Sequence, residues 1–179
     1  MPCAWNGQHT MPTKLSTSNQ QIGFGGGCHW CTEAVFSALR GVTQVQQGFI
    51  RSTPPHDSYS EAVIVHFDPS CIGLVTLIEI HLRTHASMSQ HRMREKYRSA
   101  VYSFDKEQYA ASQNILTRLQ QQFDRPLVTE TFSFDGFRPS SERFQNYYQT
   151  DPSRPFCTTH IDPKLKLLRD RFSEQLKNN

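Results

Sequence analysis

The chain has 179 residues and a mass of 20.6 kDa, the size of one ordinary domain or a slightly larger one with tails. Hydrophobic residues at 36% and aromatics at 11% supply a sizeable core and exclude wholesale disorder. Lys+Arg number 19 against 16 Asp+Glu, a net charge of +3 and too small a surplus to argue for nucleic acid. Mean hydropathy is −0.59, and no apolar run nears the roughly 18 residues of a membrane span.

Residues 1–20 read as a polar, flexible tail. They lack the charged head and apolar stretch of a secretory signal, and with one Lys and no Arg they lack transit-peptide character. The cytoplasm is the expected compartment. A single domain is expected over residues 21–179. It opens with a short strand, Ile22-Gly23-Phe24, broken by Gly25-Gly26-Gly27. A helix over residues 30–40 puts Val35, Phe36 and Leu39 on one face and stops at Gly41. Residues 42–50 read as a strand, a Pro-bearing loop covers 52–58, and a strand over 61–67 alternates Val63, Val65 and Phe67 with Ala62, Ile64 and His66.

Leu74, Leu77, Ile78 and Leu82 mark the next helix, and a polar stretch over 84–96 leads to a strand at 99–104. Asp105 is placed to cap a long helix with Tyr109, Leu116, Leu119 and Phe123 inward, and residues 128–134 form another strand. Asp162 and Pro163 read as N-cap and first residue of a last helix carrying Leu165, Leu168, Phe172 and Leu176. The order β-α-β-β-α-β predicts an α+β fold: a ferredoxin-like split βαβ sandwich with a C-terminal extension. There is no internal repeat.

The chemistry concentrates at Gly25-Gly26-Gly27-Cys28-His29-Trp30-Cys31, between a strand and a helix. A cysteine at a helix start meets unpaired N–H groups and the positive end of the helix dipole, which stabilise a thiolate. The glycines let the chain turn sharply and leave room beside the sulfur. Trp30 offers a flat apolar wall, and a protonated His29 would favour the thiolate further. The other cysteines are Cys3, Cys71 and Cys157, an odd total of five and too sparse for a disulfide framework. Three readings of Cys28-x-x-Cys31 stand side by side: a thioredoxin-like dithiol oxidoreductase, a zinc-stabilised binding module in which Cys157 and His160 complete the ligands, and a reductase with a resolving cysteine elsewhere.

The ordered segments GFGGGCHWCTEAVF, EAVIVHFDP, KYRSAVY and FQNYYQTDPSRPFC, spread over roughly residues 21–172, resemble the peptide-methionine sulfoxide reductase A family. The resemblance implies a single catalytic domain that reduces methionine S-sulfoxide, free or in protein, through a cysteine sulfenic acid and an intramolecular disulfide recycled by a thioredoxin-like reductant. It implies no metal or organic cofactor and no nucleic-acid or membrane partner. Cys28 is similar to the nucleophile, Glu61 to the acid that serves the sulfoxide oxygen, and Tyr97 to a tyrosine that hydrogen-bonds that oxygen. Trp30 resembles the wall for the substrate methyl group. Cys157 resembles the resolving cysteine, with Cys31 the alternative. Read from the residues, Glu61 lies in step with Val63, Val65 and Phe67 and should face the core, where burial favours a protonated carboxyl.

The departures are specific. His29 stands where the family usually has Phe, which makes the methyl pocket more polar. The segment His91 to Lys96 holds no plain counterpart of a family aspartate, and its Arg92, Arg94 and Lys96, with Arg98, read as a solvated basic loop. A second family tyrosine falls in a stretch missing between Phe49 and Glu61, leaving Tyr59 as a weak substitute. Cys71 is expected in the core, Cys3 idle in the tail, and His85 and His160 in packing or surface roles.

Overall fold

The computed structural model describes residues 18–178, so Cys3 and most of the expected tail lie outside the described residues. Six strands form one sheet: β1 (Gln20–Gly25), β2 (Val42–Arg51), β3 (Ser60–Phe67), β4 (Ala100–Ser103), β5 (Glu130–Ser133) and β6 (Gly136–Pro139). Their spatial order is β5-β4-β1-β3-β2-β6. All neighbours are antiparallel except β4 and β5, so β1 and β2 run the same way with β3 between them. The helices are α1 (His29–Ser37), α2 (Leu74–Thr84), α3 (Lys106–Leu119), the one-turn α4 (Tyr147–Thr150) and α5 (Asp162–Arg171). The architecture is mixed α+β. Among the described residues no helix is long and apolar enough to cross a membrane.

The period-2 pattern of β3 sorts its side chains onto two cores. Val63, Val65 and Phe67 join Ile22, Phe24 and the inner faces of α1 and α2. Ala62 and Ile64 join Ile50, Ala100, Tyr102 and Phe132 on the opposite face. Burying both faces fixes the register, because a one-residue slip would exchange every side chain between the two cores. Asp105 caps α3 as its position predicts, its carboxylate accepting from the Gln108 N–H at 2.7 Å.

Three expectations are corrected. Helix α1 ends at Ser37, well before Gly41. Residues 38–40 instead pair with the C-terminal stretch: Leu39 bridges Leu176, the Arg40 N–H donates to the Gln175 carbonyl at 2.7 Å, and the Lys177 N–H donates to the Ala38 carbonyl at 2.9 Å. Asp162 and Pro163 are the first residues of α5, but they do not start it from open chain, and the N-cap position falls to Ile161. Helical backbone begins at Pro155 and passes through a π-helical turn, Cys157–Ile161, into α5, with the Asp162 N–H donating to the Cys157 carbonyl five residues back. Pro163 lacks an N–H and its ring crowds the carbonyl four residues earlier, and the wider π turn accommodates both. Cys71 is half-buried and disulfide-bonded, so it is no ordinary core thiol.

Candidate active site

Cys28 is the N-cap residue of α1. It is extended at φ −57° and ψ 126°, and its carbonyl accepts from the N–H groups of Cys31 at 3.1 Å and Thr32 at 3.3 Å. The Trp30 N–H bonds the Cys28 sulfur and favours its thiolate. Cys28 also donates to Cys31. That bond holds the Cys31 thiol below its ordinary value, while the same bond and burial push Cys28 up. The pair thus gives up its first proton readily and holds the second, the behaviour of two sulfurs sharing one proton.

The preceding glycines are set by close packing. A Cβ on Gly25 would lie 2.9 Å from the Arg98 carbonyl, and one on Gly26 only 2.4 Å from the His85 ring. Gly26 also has φ +154°, whereas nothing stands within 4 Å of a Cβ on Gly27, the open side of the loop. Beneath the loop, His81 Nε2 bonds the Gly25 carbonyl at 2.8 Å and His85 Nε2 meets Ser99 Oγ at 2.8 Å. Burial holds His81 well below the usual histidine range and His85 at about 3, so both rings are neutral at ordinary pH. His85 therefore has the packing role expected of it.

Glu61 stands opposite Phe49 on β2, turned toward the helix face of β3 as its alternation predicts. Its Oε2 accepts from the His29 backbone N–H at 3.1 Å. The Glu61 carboxylate is thereby held at the residue that follows Cys28. The His29 ring is buried: Nδ1 lies 2.7 Å from the Gly48 carbonyl, Nε2 lies 3.8 Å from Glu61 Oε2, and Phe49 meets the ring edge-on. The other carboxylate oxygen lies 3.7 Å from Lys96 Nζ. Tyr97 is half-buried beside it, with the Lys96 ammonium 5.0 Å from its ring centroid. Tyr59 does not join this group: its ring meets Arg138 at 4.3 Å and Arg51 at 5.6 Å along the β2–β6 edge.

Trp30 stacks on Tyr147 at 4.0 Å and 7°, with Phe156 edge-on at 5.3 Å and Phe144 at 5.5 Å. Cys31, Cys157 and Ile161 form one buried cluster against which Cys28 and Tyr147 pack. Cys157 is fully buried within the π turn. The zinc arrangement is not built. His160 is exposed and packs on Phe156, and among the described residues no three Cys, His, Asp or Glu side chains are placed to hold a metal ion.

The family model described as peptide methionine sulfoxide reductase matches residues 20–176. The chain belongs to this family. The peptide methionine sulfoxide reductase MsrA of Acinetobacter baumannii (strain AYE) is 34% identical over 173 residues, covering 89% of this chain and 99% of that relative. The MsrA of Deinococcus radiodurans is 34% identical over 188 residues, covering 96% and 90%. Among solved structures, Mxr1 from Saccharomyces cerevisiae in reduced form superimposes with a TM-score of 0.66 at 21% identity, covering 81% of this chain and 92% of that one. Methionine sulfoxide reductase A of Corynebacterium diphtheriae gives 0.64 at 20%, covering 75% and 76%. Mxr1 in complex with Trx2 gives 0.59 at 18%, covering 74% and 86%.

In this peptide methionine sulfoxide reductase several site residues have no local sequence signal. Glu33 is buried, and its carboxylate accepts from the N–H groups of Asn146 and Tyr147, both at 3.1 Å, fixing the segment that lays Tyr147 on Trp30. Arg94 and Arg98 are not solvated. Arg94 donates to the carbonyls of Ser89, Gly26, Tyr97 and Ala86, lacing the glycine loop to the Tyr97 segment. Arg98 donates to Tyr102 Oη and to Ser58, clamping the loop before β3. Arg92 and Lys96 are exposed as expected. Lys164 of α5 is half-buried, donates to the Thr84 carbonyl and lowers the Cys31 thiol by its charge. The partners of Glu33, Arg98 and Lys164, and the Gly26 carbonyl held by Arg94, lie far apart in the chain, and only the positive charges in the 92–98 run hinted at them.

Proposed function

We propose that the chain reduces the S-epimer of methionine sulfoxide, free or in protein, to methionine. The observation that carries this reading is the bond from the His29 N–H to Glu61, which sets a carboxyl beside a helix-capping thiol. At rest the shared proton sits on Cys28 and the charge on Cys31, so the Cys31 thiolate is the base that takes the Cys28 proton as Cys28 attacks. Cys28 bonds to the sulfoxide sulfur, the oxygen moves to Cys28 with a proton from the Glu61 site, and methionine leaves reduced by two electrons. Cys28 is left as a sulfenic acid, oxidised by two. Tyr97 donates to the same oxygen, and the substrate methyl packs on Trp30, with His29 the further candidate contact; Tyr59, held at the β2–β6 edge, takes no part.

A second thiol then condenses with the sulfenic acid and releases water. Cys31 acts first in this reading, supported by its hydrogen bond to Cys28, and Cys157, in the same buried cluster, takes over the disulfide. A thioredoxin-like dithiol in the cytoplasm is the proposed reductant, supported by the relative Mxr1 being found with Trx2. The strand order β4-β1-β3-β2, with β1 and β2 parallel across β3, supports a ferredoxin-like split βαβ core to which β5, β6 and the C-terminal helices are added. The test is methionine formation from each sulfoxide epimer, with dithiothreitol and with thioredoxin. Turnover of the S epimer that disappears in Cys28→Ser is the expected result. Substantial turnover by a folded Cys28→Ser protein would overturn it.

A further inference from the structure

We propose that His29 is a positioning residue that stores the proton delivered through Glu61, so that the two side chains work as one acid. The inference rests on the reading of Glu61 given above. A carbonyl oxygen only accepts, so the 2.7 Å contact to Gly48 requires a proton on His29 Nδ1. A neutral ring then turns the bare lone pair of Nε2 toward Glu61 Oε2, 3.8 Å away, with the two side chains only 7% and 11% exposed. An ionised carboxylate facing that lone pair in a buried site is unfavourable. One proton between the two groups relieves it, either as imidazolium beside carboxylate or as carboxylic acid beside imidazole. The distance is too long for a direct hydrogen bond and short enough for charge pairing. The His29 backbone N–H holds the same oxygen at 3.1 Å, so one residue both orients the carboxylate and supplies its partner.

The surrounding charges make this pairing specific. Glu33 lies one turn further along α1, close enough for His29 to lower its carboxyl, which burial otherwise raises. Cys28 precedes His29, and β2 contributes only the Gly48 carbonyl and the Phe49 ring. Beyond Glu61 the nearest cation is Lys96, 3.7 Å from Oε1, with a side chain 54% exposed. A histidine beside an anion keeps its proton to higher pH than a lone carboxyl does. When oxygen transfers from substrate sulfur to Cys28, the dyad gives up one proton to that oxygen and regains it from solvent before the next turnover.

The test is the single-turnover rate of methionine release, without reductant, followed from about pH 5 to 9 for the wild type, His29→Phe and His29→Gln. A phenylalanine keeps the packing against Phe49 and holds no proton. The alkaline limb of the profile should then move to lower pH, because a lone carboxyl gives up its proton more readily than a histidine. The rate should fall about tenfold or more at the alkaline end and stay within about twofold at the acid end. A profile superimposable on the wild type, or a uniform loss at every pH, would overturn the proposal. If both variants fail to fold, the His29 ring titration followed by NMR in the wild type and Glu61→Gln decides it. Loss of the carboxylate should lower the His29 midpoint by about half a unit or more, and an unchanged midpoint refutes the dyad. A wild-type enzyme that releases no methionine from either epimer would instead sink the reductase reading, and the NMR comparison would still decide the dyad.

Discussion

Gly26 and Gly27 are neighbours in one loop, and the structure gives them opposite fates on substitution by alanine. A Cβ on Gly26 would lie 2.4 Å from His85 Cδ2 and 2.6 Å from Nε2, separations no real pair of atoms tolerates. The ring cannot yield freely, because Nδ1 is bonded to the His81 carbonyl at 2.5 Å and Nε2 to Ser99 Oγ at 2.8 Å. Overpacking of a buried site costs about 1–3 kcal/mol, and each buried hydrogen bond lost adds about 1 kcal/mol. Gly26→Ala should therefore destabilise the fold by about 2–4 kcal/mol, with further strain from φ +154°. It should also slow methionine release, because the Gly26 carbonyl is held by Arg94 at 3.0 Å and the loop leads directly into Cys28. Gly27→Ala meets nothing within 4 Å and should stay within about 0.5 kcal/mol of the wild type. Urea unfolding of both variants measures the difference. Equal stabilities, or a larger loss at Gly27, would refute the packing argument.

Glu61→Gln should slow single-turnover methionine release by about 10²–10⁴, the usual worth of a general acid, with little effect on the later disulfide step; an unchanged release rate would remove Glu61 from the chemistry. Peptide mapping after one equivalent of methionine sulfoxide, without reductant, should show a Cys28–Cys31 bond first and a Cys31–Cys157 bond later. A direct Cys28–Cys157 bond forming first would mean that the C-terminal helical segment moves before resolution. Acid should destabilise the protein well before its carboxylates titrate. His81 and His85 are buried neutral with lowered values, His85 at about 3, while the unfolded chain protonates them near 6.5. Their contribution is complete above the unfolded value and is lost as pH falls toward the folded one, at up to about 1.4 kcal/mol per pH unit for each ring. Urea midpoints that stay flat down to about pH 5 would contradict this.

Local chemistry was legible in the sequence and long-range chemistry was not. The glycine run, the alternation through Glu61 and the Asp105 cap are readable because their physics acts within a few residues. Helix α1 looked longer because nothing local announces that residues 38–40 will pair with residues 175–177. Pro163 carried the usual signal of a helix start, and the π turn around Cys157 overrode it. The arginines at 94 and 98 looked solvated because a charge run normally is, and nothing in the run shows that Arg94 will reach the Gly26 carbonyl or Arg98 the Ser58 carbonyl. Glu33 fell on an apolar helix face with no sign of its partners more than a hundred residues away. Tyr59 was singled out by residue type alone, and the β2–β6 pairing carries it to two arginines.

The order of strands has a consequence for colloidal behaviour. The longest strands, β2 with ten residues and β3 with eight, are interior to the sheet, while both edges are strands of only four residues. One edge, β6, ends at Pro139, which has no N–H to offer a further strand, and carries the cationic Arg138. The other, β5, begins with the exposed acid Glu130. Short edges with charge and proline resist templated pairing with foreign chains. An enzyme whose proposed substrates include oxidised, partly unfolded proteins meets exposed strands as part of its work, and this sheet gives them little to extend.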